Sequence, residues 1–195
     1  ENDHRRADPH QARAAVRRSS HAEWVPPADR PDPTALLTQQ EVTRVEELVP
    51  LRHERMLVSP FTFYRGAAVI MASDLGSQTD SGLRVQACGD AHLSNFGGFA
   101  SPERTLSFDI NDFDETNPGP FEWDVKRLVT SFEIAARSNS FTEKEKITVV
   151  NTAVRYYREA IAQFAAMTNL DVWYAHLAVE KVFNEARAQA SPTEV

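Results

Sequence analysis

Between Cys88 and Asp124 the chain gathers side chains suited to phosphate and metal chemistry. Asp90, His92 and Asn95 fall in one short run, Gly89-Asp90-Ala91-His92-Leu93-Ser94-Asn95. Asp112, Asp114 and Glu115 fall in a second, and Asp124 follows in Trp123-Asp124-Val125. Phosphoryl transfer from a nucleotide asks little covalent chemistry of a protein. It needs a carboxylate to orient or deprotonate the acceptor hydroxyl, and oxygen donors to hold magnesium against the phosphates. Magnesium prefers hard oxygen ligands and takes only one or two carboxylates when phosphates supply the rest. An Asp, an Asn five positions on and a second Asp after the next strand meet that demand.

These residues need rigid elements behind them. Leu83, Val85 and Ala87 alternate with Arg84 and Gln86, the period of a strand, and lead straight into the first run. A second strand is expected over Thr105–Ile110, feeding Asn111–Glu115. Pro118-Gly119-Pro120 reads as a loop, and Trp123–Arg137 as a helix with Val125, Leu128, Val129 and Phe132 on one face. Glycines 89, 97 and 98 give the first loop tight backbone geometry.

Upstream, Pro26, Pro27, Pro31 and Pro33 close a tail and linker expected over residues 1–33. Its arginines are interspersed with acids, which suits a solvated segment. A helix is expected from Pro33 with Asp32 as cap and Leu36, Leu37, Val45, Leu48 and Val49 as its apolar face. Pro50 breaks or restarts the chain, Arg52–Val58 is a short helical turn, and Ala67–Leu75 is a helix stopping at Gly76. Downstream, Thr142 with Glu145 forms a capping box. Ile147, Val150, Val154, Tyr157, Ile161 and Phe164 then recur at helical steps, and another helix is expected from Asp171 to about Ala188.

The first run resembles the catalytic loop of aminoglycoside-phosphotransferase and protein-kinase-like enzymes, in which a Gly-Asp pair leads through a His to an Asn. Asp112-Phe113-Asp114 is similar to the metal-binding Asp motif of that superfamily. Asp124 resembles the buried Asp that opens the following helix and braces the catalytic loop. More closely, the chain resembles a bacterial family of uncharacterised proteins, domain-of-unknown-function family 2252. The resemblance rests on Arg55-Met56, Ser59-Pro60-Phe61, Phe63-Tyr64-Arg65-Gly66, the Cys88–Gly97 loop, Asn111–Glu115 and Pro120–Arg127.

The resemblance implies an α+β fold, mostly helical, like the larger lobe of a kinase with a small β element, over residues 34–190. It implies Asp90 and His92 as catalytic residues, with His92 orienting the loop. It implies Asn95, Asp112 and Asp114 as metal contacts and Asp124 as support behind the loop. Arg65 is a candidate phosphate contact or, equally, half of a buried salt bridge. The implied cofactors are magnesium and ATP or another nucleotide, and the implied partner is an acceptor of unknown identity. Kinase-like enzymes cover the nucleotide with a Gly-rich lid and pair its phosphates with a Lys. No Gly-x-Gly occurs in this chain, and the resemblance places that lobe downstream in permuted order. An N-terminal fragment holding the catalytic half without its lid is therefore the expectation.

Two other readings stand beside the phosphotransferase. A non-catalytic kinase-like binding module accounts for the absent lid. A metal-dependent phosphoesterase would use Gly89-Asp90-Ala91-His92 and the nearby carboxylates. Two-metal esterases draw on further histidines, and only His4, His10, His21, His53 and His176 are left to supply them. A net charge of −7 argues against a nucleic-acid surface. Cys88 is the one cysteine, which excludes an intrachain disulfide and fits a reducing, cytoplasmic setting. No apolar run reaches the length of a membrane span.

Overall fold

The computed structural model describes residues 24–175 and Asn184. Most of the expected tail, residues 1–23, lies outside the described residues. Where the chain enters the described part, Arg30 pairs with Asp74 at 2.6 Å and 2.7 Å and its guanidinium lies over the Trp24 ring.

The architecture is α+β and mostly helical. Helix α1 spans Pro33–Glu41, α2 Val49–Met56, α3 Pro60–Gly66 and α4 Ala68–Gly76. Asp32 caps α1 by accepting from the amides of Thr34 and Ala35. The helix expected to run on through Val49 stops at Glu41, however. A 3-10 turn at Glu46–Leu48 follows, and Pro50 sits in the first turn of α2, where its missing N–H has no intrahelical role to fill. Phe61–Gly66 is helical too, because Ser59 and Thr62 form a reciprocal capping box around Pro60. Leu37, Met56 and Ala67 make the small apolar core of these helices, with Val69 and Ile70 packed against it.

Four short strands follow: β1 Arg84–Ala87, β2 Phe96–Ala100, β3 Leu106–Ile110 and β4 Asn117–Pro120. They form two separate antiparallel pairs, β1 with β4 and β2 with β3. Two of these strands correct the sequence reading. Gly97-Gly98, read as loop, lies within β2; a Cβ on Gly97 would sit 2.3 Å from Asn111 Nδ2, so glycine permits that close approach. Pro118-Gly119-Pro120, also read as loop, lies within β4 and pairs with Gln86, Val85 and Arg84. Proline is tolerated there because each strand of a two-stranded sheet is an edge, and the absent N–H breaks no second ladder.

Helix α5 (Phe121–Ser138) packs against α6 (Glu143–Ala165), with Phe121 stacked on Tyr157 at 6.3 Å. Thr142 and Glu145 form the capping box of α6. Helix α7 begins at Asn169 and runs to Tyr174; beyond Ala175 the expected helix lies outside the described residues, apart from Asn184, which is helical. Among the described residues no helix is long and apolar enough to cross a membrane.

Candidate functional site

The two strand pairs are halves of one interrupted hairpin. Between Ala87 and Phe96 the outgoing arm opens into a loop over residues 88–95. Between Ile110 and Asn117 the returning arm opens into a loop over residues 111–116. With a ladder closed on either side, the two loops must face one another, and they are bonded together. The Asn95 side-chain amide donates to the carbonyls of Asp90 (3.1 Å) and Asp112 (3.0 Å), and the Asn111 amide donates to the Asn95 carbonyl (2.9 Å). The Cys88 thiol donates to the Asp112 carbonyl at 3.6 Å, and the Thr116 hydroxyl donates to the Ala87 carbonyl at 2.8 Å. Gly89 is demanded by this approach. Its φ is +87°, and a Cβ there would lie 2.2 Å from the Glu115 carbonyl oxygen.

Helix α5 holds the first loop from behind with one face. Asp124, Arg127 and Ser131 stand at i, i+3 and i+7, so all three point the same way. Asp124 accepts from the amides of Cys88 (2.7 Å) and Gly89 (3.0 Å). Arg127 Nε donates to Asp90 Oδ1 at 2.5 Å. The Ser131 hydroxyl accepts from the Leu93 amide at 2.9 Å and donates to the Leu128 carbonyl. Sequence reasoning assigned Asp124 to this place and overlooked Arg127 and Ser131. Their helical spacing from Asp124 puts them on its face, but that spacing alone does not name what they hold.

The Asp90 carboxylate sits between two nitrogen bases. Arg127 is 3% exposed and meets Oδ1; His92 Nε2 lies 3.5 Å from Oδ2. Burial pushes the Asp90 carboxyl up, but the His92 contact and the Arg127 charge outweigh it and hold the group below its ordinary range. Tyr64 completes the support: its carbonyl accepts from Arg127 Nη2 and its hydroxyl donates to the Arg127 carbonyl, both at 2.8 Å. Its ring lies 4.3 Å from the Arg127 guanidinium carbon.

The remaining candidates divide. Asn95 is buried between the loops, its Nδ2 committed to Asp90, Asp112 and Cys88. Asp112 is exposed, and its Oδ1 accepts from the Asp114 amide at 3.1 Å. Asp114 is also exposed, and its side chain does not line the cleft that holds Asp90, His92 and Asp112. Arg65 does line that cleft. It is exposed and makes no ion pair among the described residues, so the buried salt-bridge alternative fails. The cleft encloses about 790 Å³, within the range of small-molecule sites.

The donor set suits a hard cation. Among the described residues no three His, Cys, Asp or Glu side chains group to hold a metal by themselves. Asn95 still has its Oδ1 and Asp112 its Oδ2 without protein hydrogen-bond partners, both hard oxygens, and of the two only Asp112 lines the cleft. That sparse set fits magnesium held jointly with phosphates and water, the ion's usual protein environment.

A family model matches residues 44–194, and its span takes in the interrupted hairpin, α5 and the helices that form the opposite cleft wall. The chain belongs to the family described as uncharacterized protein conserved in bacteria (DUF2252). No curated protein and no solved structure matches the chain. Every site residue of this DUF2252 chain discussed above lies inside the matched span.

Proposed function

We propose that this chain carries the catalytic site of a magnesium- and nucleotide-dependent phosphotransferase, acting on a hydroxyl-bearing acceptor. The observation that carries the reading is the interrupted hairpin, which sets the Asp90–Asn95 loop against Asp112 and has the first loop's backbone gripped by Asp124. Positioned carboxylates at the edge of a small cleft, here Asp90 and Asp112, suit phosphoryl transfer, since the chemistry is dominated by placement and charge.

In this reading Asp90 is an anion at neutral pH, fixed by Arg127, and turns toward the acceptor hydroxyl. Its depressed proton affinity suits orienting that hydroxyl and taking its proton late. The hydroxyl oxygen forms a bond to the terminal phosphorus as the bond from phosphorus to the bridging oxygen breaks. The nucleoside diphosphate leaves with that electron pair, and the hydroxyl proton passes through Asp90 to water. Asn95 and Asp112 would hold the magnesium, which when bound neutralises the phosphate charge. His92 and Arg127 keep the Asp90 carboxylate in one orientation.

The Asp90–Arg127 pair also favours a second reading, a kinase-like module that binds without turnover, because the carboxylate is already satisfied by a buried cation. Calorimetric titration with ATP, with and without magnesium, separates the two when run beside ADP release in the presence of hydroxyl acceptors. The same titration is run on Asp112→Ala and on the full product of the gene. Magnesium-dependent binding that is lost in Asp112→Ala, together with ADP release, supports the phosphotransferase. Binding without turnover that survives Asp90→Asn supports the module. Failure of every form to bind a nucleotide sinks the phosphotransferase.

A further inference from the structure

Across the cleft from Asp90 and Asp112 stands a wall of arginines. Arg52 and Arg55 project from α2, Arg65 comes from the last turn of α3, and Arg44 precedes the 3-10 turn. Only Arg52 has an acidic partner, Glu41 at 3.5 Å; its Nη2 donates to Gln40 and to the Gly66 carbonyl, which fixes the guanidinium in place. Nη1, the atom facing Glu41, is buried and makes no hydrogen bond. Burial, then the nearby Arg44 charge, lowers the proton affinity of Arg52, and the Glu41 and Glu115 charges offset this only in part. Arg44, Arg55 and Arg65 are exposed and make no ion pair among the described residues.

On the facing side Asp90 is already paired with Arg127, and Asp112 together with the Glu115 charge felt by Arg52 offsets the four cations only in part. His92 adds a second, separate sign. It is 5% exposed and lines the same cleft, and its Nδ1 has no hydrogen-bond partner. A chain of net charge −7 has thus concentrated four guanidinium groups in one concave place. Guanidinium forks match the oxygens of phosphate, which they bind in pairs of hydrogen bonds.

We propose that Arg44, Arg52, Arg55 and Arg65 form a phosphate-binding subsite, so that the cleft takes a phosphorylated ligand with its oxyanion on the wall facing Asp90 and Asp112. As a statement about oxyanion binding this stands on the wall alone. As a statement about the substrate class it rests on the phosphotransferase reading. The phosphate comes from one of two sources, the nucleotide's own polyphosphate or a phosphorylated acceptor. In the phosphotransferase reading Asn95 and Asp112 would hold the donor's metal-bound phosphates, which leaves the arginine wall to the acceptor.

The test is equilibrium binding of pyrophosphate, glycerol 3-phosphate and glycerol to the native chain and to Arg55→Gln, Arg65→Gln and the double variant. Both arginines are exposed, so the variants keep the fold, which circular dichroism checks. Arg158→Gln, on α6 away from the cleft, controls for net charge. The expected result is that phosphorylated probes bind and glycerol does not. Each cleft variant weakens binding about tenfold, the scale of a charged hydrogen bond, while Arg158→Gln leaves it unchanged. If the native chain binds no phosphorylated probe, or binds it equally well in the double variant, the subsite is overturned. Binding of glycerol 3-phosphate undisturbed by saturating magnesium-ATP assigns the wall to the acceptor; competition assigns it to the donor. Asp112→Ala separates the two proposals. Lost magnesium-ATP binding with intact phosphate binding bears on catalysis, and the arginine variants bear on the wall.

Discussion

Asp124 and Ser131, two turns apart on α5, hold the two ends of the same loop. Asp124 takes the amides of Cys88 and Gly89 at 2.7 Å and 3.0 Å, and Ser131 takes the amide of Leu93 at 2.9 Å. Three backbone donors with no strand partner are thus satisfied by one helix face, and Asp90 is suspended between them.

Asp124→Asn keeps the volume and removes one acceptor, placing an NH2 group against a backbone N–H. A hydrogen bond to a charged group is worth about 1.5–3 kcal/mol, so this variant loses at least about that much stability. Ser131→Ala costs about 1–2 kcal/mol through the stranded Leu93 amide. Hydrogen exchange at Cys88, Gly89 and Leu93 provides the local check. Accelerated exchange is expected at the first two in Asp124→Asn and at Leu93 in Ser131→Ala. Unchanged protection in either variant contradicts the clamp.

Arg127→Ala leaves the half-buried Asp90 carboxylate without its cation, a change that costs about 3 kcal/mol. Arg127→Lys does not rescue it fully, because the fork also serves the Tyr64 carbonyl. Denaturant unfolding measures both. Loss of less than about 1 kcal/mol in Arg127→Ala identifies the pair as a solvent-screened contact.

The pH dependence of Asp90 has a definite sign. Its folded proton affinity is lowered from an ordinary value of 3.8. The stabilisation is therefore fully present above the ordinary carboxylate range and is lost as pH falls through the depressed value. Native protein and Asp90→Asn are compared by unfolding across that span. Their stability difference stays flat from pH 7 to about pH 5 and closes only in more acid solution. A gap that closes between pH 7 and about pH 5 reverses the sign and excludes the ion pair as its origin.

Gly89→Ala meets two obstacles at once, a positive φ and the Glu115 carbonyl oxygen 2.2 Å from the new methyl. The loops must part to admit it. Expected are a large drop in melting temperature and loss of any magnesium-ATP binding. Gly76→Ala, whose Cβ would meet only the far end of Trp123 at 4.0 Å, serves as the tolerated control. Equal behaviour of the two variants refutes the close approach.

Cys88 is 5% exposed, and burial is the main force raising its thiol above the ordinary range. Alkylation at pH 8 is expected to be far slower in the native chain than in urea. Equal rates place the thiol in solvent and remove it from the interface between the loops.

Caps and motifs were legible in the sequence because they are local. Asp32 before Pro33, and Thr142 with Glu145, announce helix starts by side chain alone. The nearness of Asp90, Asn95 and Asp112 was legible through the two runs that carry them. Strands β2 and β4 were hidden because Gly97-Gly98 and Pro118-Gly119-Pro120 have the composition of loops, and only a partner strand makes them otherwise. Arg127 was hidden because a charged residue in a helix ordinarily faces water, and nothing nearby in sequence marks it as Asp90's partner. The arginine wall was hidden because its members come from different elements; Arg55 and Arg65 stood inside recognised motifs, but nothing in sequence brings them together with Arg44 and Arg52.

The interrupted hairpin and its clamp helix occupy one unbroken stretch from Arg84 to Ser131. The bonds that close it span 35 to 38 residues, all within that stretch, so the two loops assemble without waiting for sequence outside it. The facing wall comes from a different stretch, Arg44 to Arg65, and the two meet where Tyr64 grips Arg127. In the proposed reading, chemistry and recognition are therefore written in separate passages of the gene. Substitutions in the earlier passage can retune what enters the cleft while the later one goes on folding the same pair of loops.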